Sequence, residues 1–194
     1  DSRGVAALSV VGCTQNENQI STGSGEGALP HNKTIPALYF EEELEACAGA
    51  AVLDCKLIVA EGTVLAVFGS TSGLVSVWQL GGRFSALGGP SRLLASFQAH
   101  SMGANAVDAF LAPNAAPGAV TLLVSSGGDD QAITLGCGVL TRAADGYFAW
   151  STQFRTRHFS SATSSSVQGL RWTGRRDEGP EGGWGLVSLS ADQR

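Results

Sequence analysis

The feature that most constrains the fold is a series of short apolar runs within Ser91–Leu140. Each run has four to eight residues, is apolar throughout or in alternation, and is bounded by turn residues such as Gly, Asp and Pro. This length and alternation are typical of β-strands rather than of helices. The stretch therefore predicts one four-stranded antiparallel unit. Its runs are Leu93–Phe97, Ala104–Leu111, Val120–Ser126 and Ala132–Leu135.

The composition of the whole chain favours an all-β fold. Its 194 residues are 43% hydrophobic and 15% charged, and they include 26 glycines. Frequent glycines and few runs with a helical period indicate many turns between short strands. No apolar run approaches the length of a membrane span, so we expect no membrane partner.

The four cysteines do not form a recognisable site. They are Cys13, Cys47, Cys55 and Cys137. None has the CxxC spacing of a zinc site, no pair of histidines accompanies them, and the spacings do not indicate a disulfide framework. We therefore expect no metal and a reducing, cytoplasmic compartment.

Three polar residues mark the ends of the runs in the central unit. His100 follows the first run, Ser126 ends the third, and Asp130 lies in the turn after it. These are the positions at which a WD-repeat blade keeps a histidine, a serine and a turn aspartate, so the unit resembles a WD repeat. The resemblance implies a structural hydrogen-bonded group around a buried imidazole. We call the histidine, serine, aspartate and tryptophan positions of such a repeat its tetrad. The tetrad-like residues of the neighbouring repeats are Trp78, Ser188 and Asp192.

The same pattern recurs along the chain. Matching Ser72 to Asp130, and Asp130 to Asp192, gives a period of about 60 residues. We predict a partial WD-repeat β-propeller of about three to four blades, the first and last incomplete, from a longer protein that supplies the remaining blades. Tyr147–Phe154 is expected to be the outermost strand of the last blade. The divisions are residues 1–49 (an incomplete blade with a long glycine-rich and acidic connection), 50–90 and 91–145 (two blades, the second with the best polar set), and 146–194 (a truncated blade).

Four segments from about Ala50 onward resemble one WD-repeat family. They read LLASFQAHSMGANAVDAFL, LLVSSGGDDQ, SSVQGLRW and LVSLSADQR. The chain is similar there to the C-terminal blades of the WD-repeat regulatory subunit of the tRNA wobble-position 2′-O-methyltransferase. The resemblance implies a cytoplasmic, non-catalytic module that binds a separate methyltransferase subunit and helps to place the anticodon loop of tRNA. The alternative is a generic WD-repeat protein–protein scaffold with no RNA role.

The sequence does not indicate catalysis or a bound cofactor. A serine hydrolase of the GxSxG type is not indicated, and a WD-repeat blade accounts for both His100 and Asp130. The GGDDQ turn lacks the alternating acidic pattern of a calcium loop. The glycines of Gly23–Gly27 are not followed by the Gly-Lys pair of a phosphate-binding loop. We predict no catalytic residues and no cofactor, and S-adenosylmethionine is expected to bind the partner.

A group of arginines in the last third of the chain is a candidate for RNA contact. Clustered cations with interspersed aromatic residues are typical of surfaces that meet phosphates and bases. The net charge of −5 argues against strong RNA binding by the chain alone. Solvated arginines on loops are the alternative. The residues are Arg155, Arg157, Arg171, Arg175 and Arg176.

Overall fold

The computed structural model describes residues 6–7, 43–44, 49–60, 62–82, 88–175 and 183–191. Within these residues the regular elements are β-strands, which confirms the all-β prediction. No helix in the described ranges has the length and hydropathy needed to cross a membrane. The strands are β1 (Ala6–Ala7), β2 (Glu43–Leu44), β3 (Val52–Ala60), β4 (Thr63–Ser70), β5 (Leu74–Leu80), β6 (Arg92–Gln98), β7 (Ala104–Pro113), β8 (Ala119–Gly128), β9 (Ile133–Arg142), β10 (Phe148–Trp150), β11 (Arg155–Phe159), β12 (Val167–Arg175) and β13 (Trp184–Ser190).

The strands form three larger antiparallel sheets and one short pair. The first sheet has the order β3-β4-β5-β6. The second has the order β7-β8-β9-β10, and β11 pairs with the other half of β9. The third consists of β12 and β13, while β1 pairs with β2. Most of the connection predicted within residues 1–49 lies outside the described ranges.

The three sheets begin with the same irregularity. In each, the register shifts by one residue just after the first pair of the opening strand, as in a β-bulge. The shared irregularity gives three residues equivalent positions in the three sheets. They are the residues paired with the first residues of β3, β7 and β12, namely Ser70, Gly128 and Ser190. Ser72 and Asp130 each lie two residues beyond these positions, which agrees with the repeat read from the sequence. Asp192 lies outside the described residues.

The predicted four-stranded unit is divided between two sheets, so that prediction was wrong in one strand. β6, which contains the first apolar run, pairs with β5 instead of β7. The reason lies in the link after it, because the backbone N–H groups of Ala99 and His100 both donate to the Gly73 carbonyl. These bonds hold β6 against the β4–β5 turn of the first sheet. Residues 91–98 therefore complete the sheet of the preceding repeat.

The aromatic strand expected in the last blade also belongs to the preceding sheet. β10 pairs with β9, and the rings of Trp150, at the end of β10, and of Phe154 lie over β9 as well. A side chain at Gly138 would overlap the ring of Trp150, and one at Gly136 would overlap Phe154. The rings thus pack where β9 carries no side chains, which the alternation of apolar residues alone did not reveal.

The main core lies between the first and second sheets, where β7 packs against β3 and β4. Apolar side chains on the facing strands are almost completely buried, which favours this packing through the removal of apolar surface from water. β7 also packs against β12 of the third sheet. The core includes Leu65, Val67, Val75, Val77, Val107, Ala109, Leu122, Val124, Leu140 and Phe148.

Two glycines allow each sheet to approach the next closely. A Cβ atom on Gly69 would lie 2.7 Å from the carbonyl oxygen of Ala104, at the start of β7. A Cβ atom on Gly127 would overlap the side chain of Val167, at the start of β12. The register gives Leu189 the equivalent position in the third sheet, where its side chain is 66% exposed. The third sheet therefore differs from the other two at this contact.

Candidate functional site

The most extensively hydrogen-bonded polar side chains surround His100, between β6 and β7. The imidazole is buried, and its Nδ1 lies 2.9 Å from Oδ1 of Asp130. Its Nε2 lies 2.9 Å from the hydroxyl of Ser126. The structure thus brings together three residues that are separated by up to 30 positions in the sequence.

The carboxylate of Asp130 is positioned by the turn between β8 and β9. It accepts hydrogen bonds from the backbone N–H groups of Ser101 at 2.9 Å and Ala132 at 3.2 Å. Burial raises the pKa of Asp130, but the bonds from Ser101, His100 and Ala132, together with the positive charge that His100 carries when protonated, outweigh burial and lower the pKa overall. An ionised carboxylate only accepts, so Nδ1 of His100 carries the proton of that bond. In the neutral imidazole, Nε2 then accepts from Ser126.

The hydrogen bonds join a serine to a histidine and the histidine to an aspartate, as in the catalytic triad of a hydrolase. A nucleophile must reach its substrate, and the residue in that position here, Ser126, is 0% exposed. Gly128 lies directly against the imidazole, because a Cβ atom there would be 2.6 Å from the ring of His100. This packing leaves no room for a substrate beside the ring. The arrangement is therefore suited to holding the β6–β7 link and the β8–β9 turn together.

A second layer of hydrogen bonds connects this group to both neighbouring elements. The hydroxyl of Thr134 donates to the Ala99 carbonyl at 2.9 Å, so its single proton is used. Nδ1 of His158 on β11 lies 2.9 Å from the hydroxyl oxygen of Thr134. Because that hydroxyl has no second proton to donate, Nδ1 must be the donor in this bond. On the other side, Nε2 of Gln98 donates to the carbonyls of Ser72 and His100, each at 2.6 Å.

The other predicted tetrad residues do not join this group. Nε1 of Trp78, on β5, donates to Ser76 at 3.2 Å within its own sheet. Ser188 is exposed on β13. Residue 136, six positions after Asp130 as Trp78 is six after Ser72, is a glycine, and the Phe154 ring packs against it.

Two carboxylates that the sequence analysis missed connect successive sheets. Asp54 on β3 accepts a hydrogen bond from the backbone N–H of Val107 on β7 at 2.8 Å. Asp108 on β7 accepts one from the backbone N–H of Trp172 on β12 at 2.7 Å. The sequence did contain a signal for them, because each is an aspartate within a largely apolar strand. Charged residues are rarely buried without partners, so such an aspartate is expected to have one. Trp172 also has a buried indole Nε1 that finds no hydrogen-bond partner among the described residues.

A shallow groove of about 360 Å³ lies at the end of the first two sheets where their turns meet. We call it the turn-end groove. It is bordered by the start of β3, the β4–β5 turn, the link before β7 and the β8–β9 turn. The described residues that line it are Leu53, Thr71, Met102, Gly103, Asn105 and Asp129.

The predicted arginines occur on two sheets. Arg155 and Arg157 are exposed on β11, at the edge of the second sheet, and the Arg157 guanidinium lies 5.0 Å from the centre of the Phe159 ring. Arg171 is exposed on β12 of the third sheet. Only the backbone of Arg175 is described, and Arg176 lies outside the described residues.

The described ranges contain no metal-binding cluster of three or more His, Cys, Asp or Glu side chains. Burial, with a smaller contribution from Asp54, raises the pKa of Cys55 to about 11. Burial also raises the pKa of Cys137. Both thiols are therefore protonated, and weakly nucleophilic, near neutral pH.

Comparison with known proteins does not assign the chain to a family. No protein-family model matches it, and no curated protein is significantly similar to it.

Proposed function

We propose that this chain is part of a WD-repeat β-propeller and acts as a non-catalytic interaction module. The observation that supports this most is the buried group formed by His100, Ser126 and Asp130. WD repeats keep these residue types in the same order between the corresponding strands. Complete burial of Ser126 and His100 argues for a structural role for the group. On this proposal, partners bind to the exposed surface of the module.

The contacts between sheets give independent support. The first strands of the three sheets pack in succession, with β7 between β3 and β12. Asp54 and Asp108 each bind the backbone of the next sheet. Blades of a propeller also contact one another in succession around an axis. On this proposal the chain contributes about three to four blades, of which the first and last are incomplete.

We further propose that the partner is the catalytic subunit of a tRNA wobble-position 2′-O-methyltransferase. This rests on the resemblance of the segments around His100, Ser126 and Asp130 to the regulatory subunit of that enzyme. The module would act in the cytoplasm, S-adenosylmethionine would bind the catalytic subunit, and tRNA would meet this chain only within the complex. Exposed Arg155 and Arg157 are the candidates for that contact.

A second candidate is a protein–protein scaffold with no RNA role. The observation that favours it is the distribution of the arginines over two sheets on a chain of net charge −5. Phosphate affinity grows with the number of charges neutralised together, so cations on separate sheets contribute less than one continuous basic surface.

Co-purification and methylation mapping distinguish these candidates. The full-length protein is expected to co-purify with a tagged methyltransferase subunit, and its deletion is expected to remove ribose methylation at the wobble nucleotide. Ribose methylation at another tRNA position serves as the internal control. Unchanged methylation at the wobble nucleotide would reject the methyltransferase role and leave the scaffold.

A further inference from the structure

The turn-end groove lies beside the buried His100 group, but other residues line it. Two large apolar side chains border it, Leu53 at 44% exposure and Met102 at 55%. Apolar side chains that line a concave surface, unlike isolated ones, are typical of ligand and protein-binding sites. The exposed thioether chain of Met102 can also adapt its shape to different apolar groups.

One end of the groove is anionic. Asp129 is the only charged residue among the described residues that line it. Its Oδ1 accepts a hydrogen bond from the Asn105 side chain, whereas Oδ2 accepts none from the described part of the chain. A carboxylate oxygen is thus available next to the apolar surface.

The groove is held in shape from behind. The backbone N–H of Asp129 donates to the Gly103 carbonyl at 3.0 Å, and the adjacent Asp130 is fixed to His100. Gly103 leaves space between the two sides, because a Cβ atom there would lie 3.0 Å from Leu53 and 3.3 Å from Asp129. The surface is therefore preorganised, which reduces the ordering cost of binding.

We propose that the turn-end groove binds a short segment of a partner protein in which an arginine or lysine lies beside a large apolar side chain. The apolar side chain lies against Leu53 and Met102, and the cation bonds to Oδ2 of Asp129. The volume of about 360 Å³ is at the lower end of the range for ligand sites and suits a few side chains. The inference rests on the proposed role as an interaction module and is independent of the tRNA partner.

The test is a titration of the ¹⁵N-labelled full-length protein with acetylated, amidated hexapeptides, followed by NMR. The peptides carry Arg-Leu, Glu-Leu, Arg-Ser or Gln-Leu at the centre of an otherwise identical sequence. The Arg-Leu peptide is expected to shift the amide signals of Met102, Gly103 and Asp129, and to bind roughly fivefold or more tightly than the others. Its affinity is expected to fall with added salt.

Matched variants locate the binding. Asp129→Asn is expected to weaken the Arg-Leu peptide about three- to tenfold and to remove most of the salt dependence. Met102→Ser should weaken binding of the Arg-Leu and Gln-Leu peptides. Gly103→Ala narrows the groove and should weaken them as well, whereas Gly183→Ala, where no atom of the described residues lies within 4 Å of the added Cβ, should not.

Several results would overturn the proposal. These are equal binding of all four peptides, preference for the Glu-Leu peptide, or unchanged affinity in both Asp129→Asn and Met102→Ser. Groove signals that move when the free chain is diluted would assign the surface to a second copy of the chain. If Gly103→Ala fails to fold, the other two variants decide the outcome. The assay contains no methyltransferase, so its result is separable from that of the methylation test.

Discussion

Lys56 and Asp108 form an ion pair between the first strands of two neighbouring sheets, with Nζ and Oδ1 2.6 Å apart. The Asp108 side chain is only 5% exposed, and its second oxygen accepts the backbone N–H of Trp172 in the third sheet. One carboxylate therefore connects strands of all three larger sheets. A buried charge with these partners costs little while they remain and much when one is removed.

Replacement of this carboxylate is expected to destabilise the chain strongly. Asp108→Ala leaves Lys56 without its counter-ion and the Trp172 N–H without an acceptor, and should lower the free energy of unfolding by about 2–4 kcal/mol. Urea denaturation measures the change. Arg92→Gln is the control, because the Arg92–Asp145 pair is half exposed at 3.4 Å and should cost less than about 1 kcal/mol. Equal costs would show that Asp108 is not a structural link.

Asp130→Ala is expected to act through stability alone. It removes the partner of the buried Nδ1 of His100 and should lower the free energy of unfolding by about 1–3 kcal/mol. Binding to a partner protein should then fall only as far as the folded fraction falls. An unchanged melting temperature with loss of activity in the complex would instead identify the turn as a functional site.

The lowered pKa of Asp130 predicts a specific loss of stability in acid. Because the folded chain binds this proton less readily than the unfolded chain, ionised Asp130 contributes stability above the ordinary pKa of 3.8. That contribution is lost as the pH falls through the lower pKa of the folded state. Urea denaturation should therefore show a difference between wild type and Asp130→Asn that is full above about pH 5 and shrinks below about pH 4. A pH-independent difference would contradict the assignment.

Ser126 is expected to be unreactive towards serine-directed reagents. Its hydroxyl is buried and bonded to Nε2 of His100, so a fluorophosphonate probe cannot approach it. Mass spectrometry of the treated native chain should find no label at this position. Ser126→Ala should cost about 1–2 kcal/mol of stability. Labelling of Ser126 that disappears in His100→Ala would support a catalytic triad instead.

The β4–β5 turn should tolerate no side chain at Gly73. This residue has φ of +78°, and a Cβ atom would overlap the His100 carbonyl oxygen. Gly118 has a similar φ of +70° with open space around it. Gly118→Ala should therefore cost only the conformational strain, about 1 kcal/mol, and Gly73→Ala roughly 2 kcal/mol more. Thermal unfolding of the two variants gives the comparison, and equal costs would show that the contact with His100 is not tight.

The sequence was informative where local pattern decides the outcome. Alternating runs and turn residues predicted strands at Leu93–Phe97, Ala104–Leu111 and Val120–Ser126, which lie within β6, β7 and β8. The resemblance to a WD repeat predicted that His100, Ser126 and Asp130 lie together. The assignment of strands to sheets was less accessible, because β6 and β10 have the same local pattern whichever sheet they join. Contacts across sheets, such as those of Asp54 and Asp108, depend on tertiary packing that no short window contains.

The two aspartate bonds give the stacking of the sheets a direction. In each bond the aspartate, Asp54 or Asp108, belongs to the sheet that comes earlier in the chain. The backbone donor, Val107 or Trp172, belongs to the sheet that follows. The contacting surfaces are therefore of two different kinds, as in a heterologous interface. Such a contact cannot be related to itself by a twofold axis. A further sheet that used these same two surfaces would join the series head to tail.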